Sequence, residues 1–152
     1  MSNGTRNQQL GEAGVQFVVK KCRCMKCKRE KTLRRLMANF KCADLICDFC
    51  GYLAQVKTAN VLDPETLPST ILGAAWSVQK ERMDAGIYFP WFIVLARRGR
   101  PKAIYYLPME LQGPELFVPR RPLSSTARRS GWQGYRVDFR RMRVKNGCVR
   151  ML

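Results

Sequence analysis

Asp44, Gln55 and Lys57 are the residues whose types and spacing point most directly to chemistry. Asp44 and Lys57 flank the knuckle Cys47-Asp-Phe-Cys50, and Gln-x-Lys stands just past it. Residues two apart on a strand share a face, so Gln55 and Lys57 point the same way if this segment is extended. If the knuckle is a hairpin turn, Asp44 reaches the same edge. Its carboxylate, the Gln55 amide oxygen and the backbone carbonyl of Val56 make an all-oxygen set suited to Mg2+, with water and phosphate filling the other positions. A lysine beside such an ion can orient water and offset charge on a phosphate under attack. The chemistry these parts compose is phosphodiester hydrolysis. The same charges would also suit a solvated hairpin, so the spacing alone leaves both readings open.

A second set is metal-binding. Cys24-Met-Lys-Cys27 and Cys47-Asp-Phe-Cys50 form C-x2-C-x19-C-x2-C. That is the pattern of a four-cysteine zinc ribbon, in which each pair wraps one edge of a tetrahedral ion. Cys22 competes for the upstream pair, whereas Cys42 and Cys148 read as small core residues. Four thiolates leave no open position for a catalytic water, so the expected Zn2+ is structural.

Composition narrows the partners. The chain has 152 residues, 28 Lys and Arg against 11 Asp and Glu, and a net charge of +17. Such an excess calls for a polyanion, and with no long apolar segment to suggest a membrane the expected partner is nucleic acid. There is no histidine, which excludes His-dependent triads, HNH-type nucleases and His-ligated metals. Seven cysteines in a chain without a signal peptide indicate a reducing compartment, hence a cytoplasmic protein on the nucleoid.

The elements that must position these groups read as α/β or α+β, with a central mixed sheet flanked by helices and a zinc-ribbon insertion at about 22–50 in one domain spanning 1–152. Leu10, Ala13, Gly14, Phe17 and Val18 recur at helical spacing and predict a helix over 5–21. Residues 42–46 and 52–58 predict the hairpin. Ser69 or Thr70 is the expected N-cap of a helix over 70–85, with Ile71, Ala75 and Val78 on one face and Gly86 as its stop. The apolar run 91–97 predicts a buried strand beside 103–107. A basic loop is expected over 113–134, then strands over 135–152 joined at Asn146-Gly147. Trp76 and Trp91 read as core. Trp132 fits either the core or an exposed indole in that loop, where Arg121, Arg128 and Arg129 are candidate phosphate or guanine contacts.

Several stretches resemble the PD-(D/E)xK nuclease superfamily and, within it, the DpnI-type restriction endonucleases. They are Cys24-x-x-Cys27, Ala43-Asp44 through Cys47-x-x-Cys50 to Lys57, Ser69-Thr70-Ile71, Leu107-Pro108, and above all the string Arg121-Pro-Leu-Ser-Ser-Thr-Ala-Arg-Arg-Ser-Gly-Trp-Gln-Gly134. Together they span about residues 15–150. The resemblance implies Mg2+-dependent cutting of adenine-methylated, GATC-like double-stranded DNA. Asp44 takes the metal-bridging aspartate position, Lys57 the lysine, and Trp132 with its arginines the methyl-adenine-sensing loop. Gln55 stands where near relatives carry glutamate, although Mrr-type superfamily members carry Gln-x-Lys. Glu12 reads as a solvated helix charge, while the superfamily resemblance offers it as a further acid. DpnI-like enzymes add a C-terminal winged-helix domain, and no counterpart of it is expected within these residues. Two other expectations stand beside cutting: an inactive module that binds methylated DNA, and a zinc-ribbon RNA-binding protein.

Overall fold

The computed structural model describes residues 4–37, 40, 42–121, 132–140 and 149–151. Arg6–Lys21 forms the first helix, α1. Thr5 caps it: its hydroxyl accepts from the Gln8 amide while the Gln8 side chain accepts from the Thr5 amide, a reciprocal box that satisfies two orphan donors. Gly14, Val15 and Val18 are buried on its inner face.

Strands Leu33–Arg35 (β1), Leu45–Cys47 (β2), Leu53–Asn60 (β3), Trp91–Arg97 (β5), Arg100–Leu107 (β6) and Val149–Arg150 (β9) form one mixed sheet in the order β1-β2-β3-β5-β6-β9. Strands β3 and β5 pair in parallel and every other neighbour is antiparallel. Strands Thr70–Ala75 (β4), Phe117–Pro119 (β7) and Gln133–Asp138 (β8) make a smaller antiparallel sheet ordered β4-β8-β7. The second helix, Ser77–Asp84 (α2), joins β4 to β5.

Strand β5 is buried at six consecutive residues because both of its faces are covered. One face carries Phe92 and Val94, which pack with Val15 and Val18 of α1 and with Leu33, Leu45, Cys24 and Cys47. The other carries Trp91, Ile93 and Leu95, which meet Ile71 and Ala75 of β4, Phe117 of β7, and Tyr135 and Val137 of β8. The layers are therefore α1, the mixed sheet and the small sheet, and the zinc-ribbon cysteines belong to the α1-side core.

Gly14 is where α1 comes closest to β3. A Cβ there would overlap the Thr58 hydroxyl and lie 3.0 Å from Thr58 Cβ. Gly14→Ala is expected to cost about 1–3 kcal/mol, the usual penalty of overpacking, and Thr58→Gly in the same chain should recover most of it. Denaturant unfolding of the two single variants and the double variant checks this.

Three expectations are corrected. Residues 70–85 are not one helix: 70–75 is β4, paired with β8 from Thr70↔Asp138 to Ala75↔Gln133, and only 77–84 is helical. Ile71 and Ala75 are four apart, a spacing that puts residues on one helix face and also on one strand face. Trp76, expected in the core, is half-buried at the N-cap of α2, whereas the Gly86 stop stands, in the left-handed conformation just past the helix. The stretch 113–134 is not all loop, since it holds a 3-10 turn at Pro114–Leu116, strand β7 and the start of β8. Strand β1 was unexpected. The predicted Asn146-Gly147 turn, Cys148, Arg128 and Arg129 lie outside the described residues.

Candidate active site and metal centre

Strands β2 and β3 stay paired only from Ile46↔Leu53 to Leu45↔Ala54 and then fork. Asp44 stands at the fork. Its amide still donates to the Ala54 carbonyl at 2.9 Å, and its carboxylate Oδ2 accepts the Val56 amide at 2.8 Å. The side chain thus replaces the next rung of the ladder. The Gln55 amide turns the other way, to Pro90 at 2.9 Å. Because the N–H and C=O of one strand residue point to the same side, the Val56 carbonyl opens toward the Asp44 carboxylate.

Gln55 is buried, at 5% exposure. Its amide nitrogen donates to the Cys42 carbonyl and its oxygen accepts from the Trp91 indole at 2.7 Å. Those partners determine which end is oxygen, since an indole only donates and a carbonyl only accepts. One lone pair of that oxygen is taken by Trp91 and the second is left for another partner. Lys57, on the same strand face, places its ammonium 5.2 Å from the centre of the Trp91 ring. Trp91 therefore orients both side chains. Nothing in the sequence announces this, because it depends on the parallel register Gln55↔Trp91. Behind this face, the space among Gln55, Arg82, Tyr88, Trp91 and Phe117 measures about 10 Å³, room for a single water.

Asp44 feels its surroundings strongly. Burial raises its carboxyl above the ordinary range, against the opposing pull of the Val56 amide, Lys57 and Arg35, and Glu12 adds a further upward push. Glu12 is itself held low, first by its hydrogen bond from Arg35, with which it forms an ion pair at 2.7 Å. The helix charge read as solvated is thus bridged to β1 and electrostatically coupled to Asp44.

A linked stability effect follows. Asp44 contributes most favourably below the ordinary carboxylate pKa, and that contribution is lost as pH rises through its raised folded value. An asparagine in its place would keep an oxygen for the Val56 amide without the buried charge. Asp44→Asn is therefore expected to melt higher than the native chain at neutral pH without divalent metal, with a flatter pH dependence over that window. Added Mg2+ should raise the native melting temperature and leave the variant unchanged. Thermal scans from acid to neutral pH, with and without Mg2+, test both signs.

The four knuckle thiols converge. The sulfurs of Cys24, Cys27, Cys47 and Cys50 lie within 4.8 Å of one another. Cys24 to Cys50 is 3.6 Å and Cys27 to Cys47 is 3.7 Å. A tetrahedron with Zn–S bonds of about 2.3 Å has edges of roughly 3.8 Å, so the set fits zinc. These separations are far too long for disulfides. Cys22, the competitor for the upstream pair, is buried outside the cluster.

The two knuckles have one design. Amides of Lys26 and Cys27 approach Cys24 Sγ at 3.4 and 3.5 Å, and those of Phe49 and Cys50 serve Cys47. Burial pushes the Cys24 thiol up to about 12. Burial also acts to raise Cys47, but hydrogen bonds from Thr32 and the Cys50 and Phe49 amides bring it down to about 6. Gly51 closes the second knuckle with φ 78°, in the left-handed region that glycine enters freely.

The remaining predicted contacts are partly placed. Arg121 is exposed just after β7. Trp132 is half-buried just before β8, between the two positions expected for it. No helix among the described residues is long and apolar enough to cross a membrane. In comparison with known families, residues 2–151 match the model described as DpnI, the Dam-replacing family.

Proposed function

The chain belongs to the DpnI, or Dam-replacing, family, a family of restriction endonucleases, and from that premise we propose that it is a Mg2+-dependent endonuclease cutting adenine-methylated duplex DNA. The forked hairpin carries this reading: Asp44 takes the Val56 amide where a strand partner would be, one residue before Lys57. This arrangement supports a PD-(D/E)xK-type site. The Asp44 carboxylate, the Val56 carbonyl and the second lone pair of the Gln55 amide are hard oxygen donors, which fit Mg2+. Bound there, the ion would polarise the scissile phosphate and stabilise the leaving oxygen.

The chain's own groups do the rest. Lys57, steadied on Trp91, orients the attacking water and offsets negative charge building on the phosphate. Asp44, raised by burial, gives up its proton readily once a cation faces it. Arg35 ties Glu12 to β1 beside this edge. The basic surface positions the duplex; Trp132 is assigned to sensing the methylated adenine, and Arg121, Arg128 and Arg129 to phosphate or guanine contacts.

Incubation with adenine-methylated and unmethylated plasmid, with and without Mg2+, tests this. Cutting is expected only when methyl group and metal are both present. A second reading has one observation in its favour: Gln55 is neutral and its oxygen already serves Trp91. Methyl-selective binding without nicking would establish that binding module instead.

A further inference from the structure

The two knuckles close with the same backbone turn but different residues. The residue after the second cysteine returns its amide to the first cysteine's carbonyl in both: Gly51 to Cys47 at 2.9 Å and Lys28 to Cys24 at 3.0 Å. Both stand in the left-handed conformation, Gly51 at φ 78° and Lys28 at φ 64°. Glycine does so freely and lysine does not. Lys31 repeats the strain at φ 58°. The closing amide-to-carbonyl bond holds Lys28 in this conformation, and such strained positions cluster at functional sites. Between the two lysines, Arg29 holds its guanidinium 3.8 Å from the centre of the Phe49 ring, at the tip of the opposite knuckle. Phe49 is nevertheless 60% exposed, and Lys26, Lys28, Arg29 and Lys31 are exposed on the first knuckle and the turn after it, with Glu30 the one acid among them.

We infer that this knuckle face is a second DNA-binding surface, in which Lys28, Arg29 and Lys31 grip phosphates flanking the cut and Phe49 packs against the groove edge. The inference rests on the reading of the chain as a DNA endonuclease. Charge complementarity selects the partner: a cationic rim around a ring backed by a guanidinium suits a sugar–phosphate edge. Position agrees. Strand β2 has Asp44 before its first residue and Cys47 at its last, a separation of about 10 Å. That is roughly three phosphate steps of a duplex strand, so DNA engaged at Asp44 can run onto the knuckles. Zinc keeps the surface stiff, so little ordering is needed on binding.

The test measures affinity for a duplex of about 25 base pairs containing one adenine-methylated GATC, in Ca2+ instead of Mg2+, across a salt series. The double variant Lys28→Gly/Lys31→Gly should keep one zinc and melt no lower than the native chain, because strain is relieved. It should bind about tenfold more weakly near 0.15 M salt, with the slope of log K against log salt shallower by about two. Its single-turnover cutting rate at saturating DNA in Mg2+ should match that of the native chain. Phe49→Ala should weaken binding and leave the slope alone. Should the double variant melt lower, Arg29→Ala, which leaves the backbone unchanged, carries the same test with a slope change of about one. Folded, zinc-loaded variants with native affinity and slope would overturn the inference while leaving the endonuclease reading intact. A native chain that ignores duplex DNA, or prefers RNA, would overturn both.

Discussion

Lys57→Ala is expected to lower the single-turnover rate of DNA cutting by about 10³-fold or more, while the protein stays folded and binds DNA. Removing one group that stabilises transition-state charge typically costs 10² to 10³. Here the same ammonium is also assigned the orientation of water. Lys57 lies against the Trp91 ring on a half-buried strand face, so truncation removes chemistry with little loss of packing. Lys57→Arg separates its two roles. Arginine keeps the charge but does not release a proton and presents a wider, planar head. Partial activity in Lys57→Arg would mean that charge is what matters; loss equal to that of the alanine variant would assign Lys57 to handling the water. Asp44→Asn should lose at least as much, because it removes the only charged ligand proposed for the cation. That variant is also expected to be the more stable one, so a dead and better-folded protein would identify Asp44 as a residue kept for function at a cost in stability. An Asp44→Asn or Lys57→Ala chain that cuts at the native rate would end the assignment of the site to this fork.

How much of this was legible in the sequence depends on the kind of interaction. The four-cysteine cluster was readable because ligand spacing is a local property: each C-x2-C closes its own knuckle, whatever the rest of the chain does. Helix α1 and strand β5 were readable from a helical repeat and an unbroken apolar run. Strand β4 was misread because Ile71 and Ala75 satisfy both periods, and only its pairing with β8, about sixty residues away, decides between them. Asp44 and Lys57 could be proposed from the hairpin, but not the fork at which the Asp44 carboxylate takes the Val56 amide, since where two strands stop pairing is a tertiary property. Gln55 shows the limit most clearly. Its residue type suggested a metal ligand, while its burial and its bond to Trp91 come from parallel register. The left-handed Lys28 left a faint trace in the comparison of Cys27-Lys28 with Cys50-Gly51.

Zinc removal should have the largest effect on stability. Cys24 and Cys47 are fully buried and share a core with Leu33, Leu45, Phe92 and Val18. Leu33 and Leu45, which lie between the knuckles, bury apolar surface there as well, and a bound metal is expected to add its binding energy to theirs. Structural zinc in small domains binds with roughly 10–16 kcal/mol of apparent free energy, most of it coupled to folding. If only a third of that is net stability here, Cys47→Ser or a strong chelator should lower the melting temperature by about 10 °C or more. Cutting should be lost in parallel, because Cys47 ends the same strand that Asp44 precedes. The loss would be one of position, since a four-thiolate site has no vacant coordination place from which to take part in the reaction. Cobalt(II) distinguishes the two roles: it should occupy the thiolates, restore folding and recover cutting, with the metal's own identity mattering little. Cys22→Ser provides the contrast, being a buried thiol outside the cluster; it should keep one zinc per chain and melt within a few degrees of the native protein. Zinc loss in Cys22→Ser with zinc retained in Cys24→Ser would instead move the upstream ligand two residues earlier.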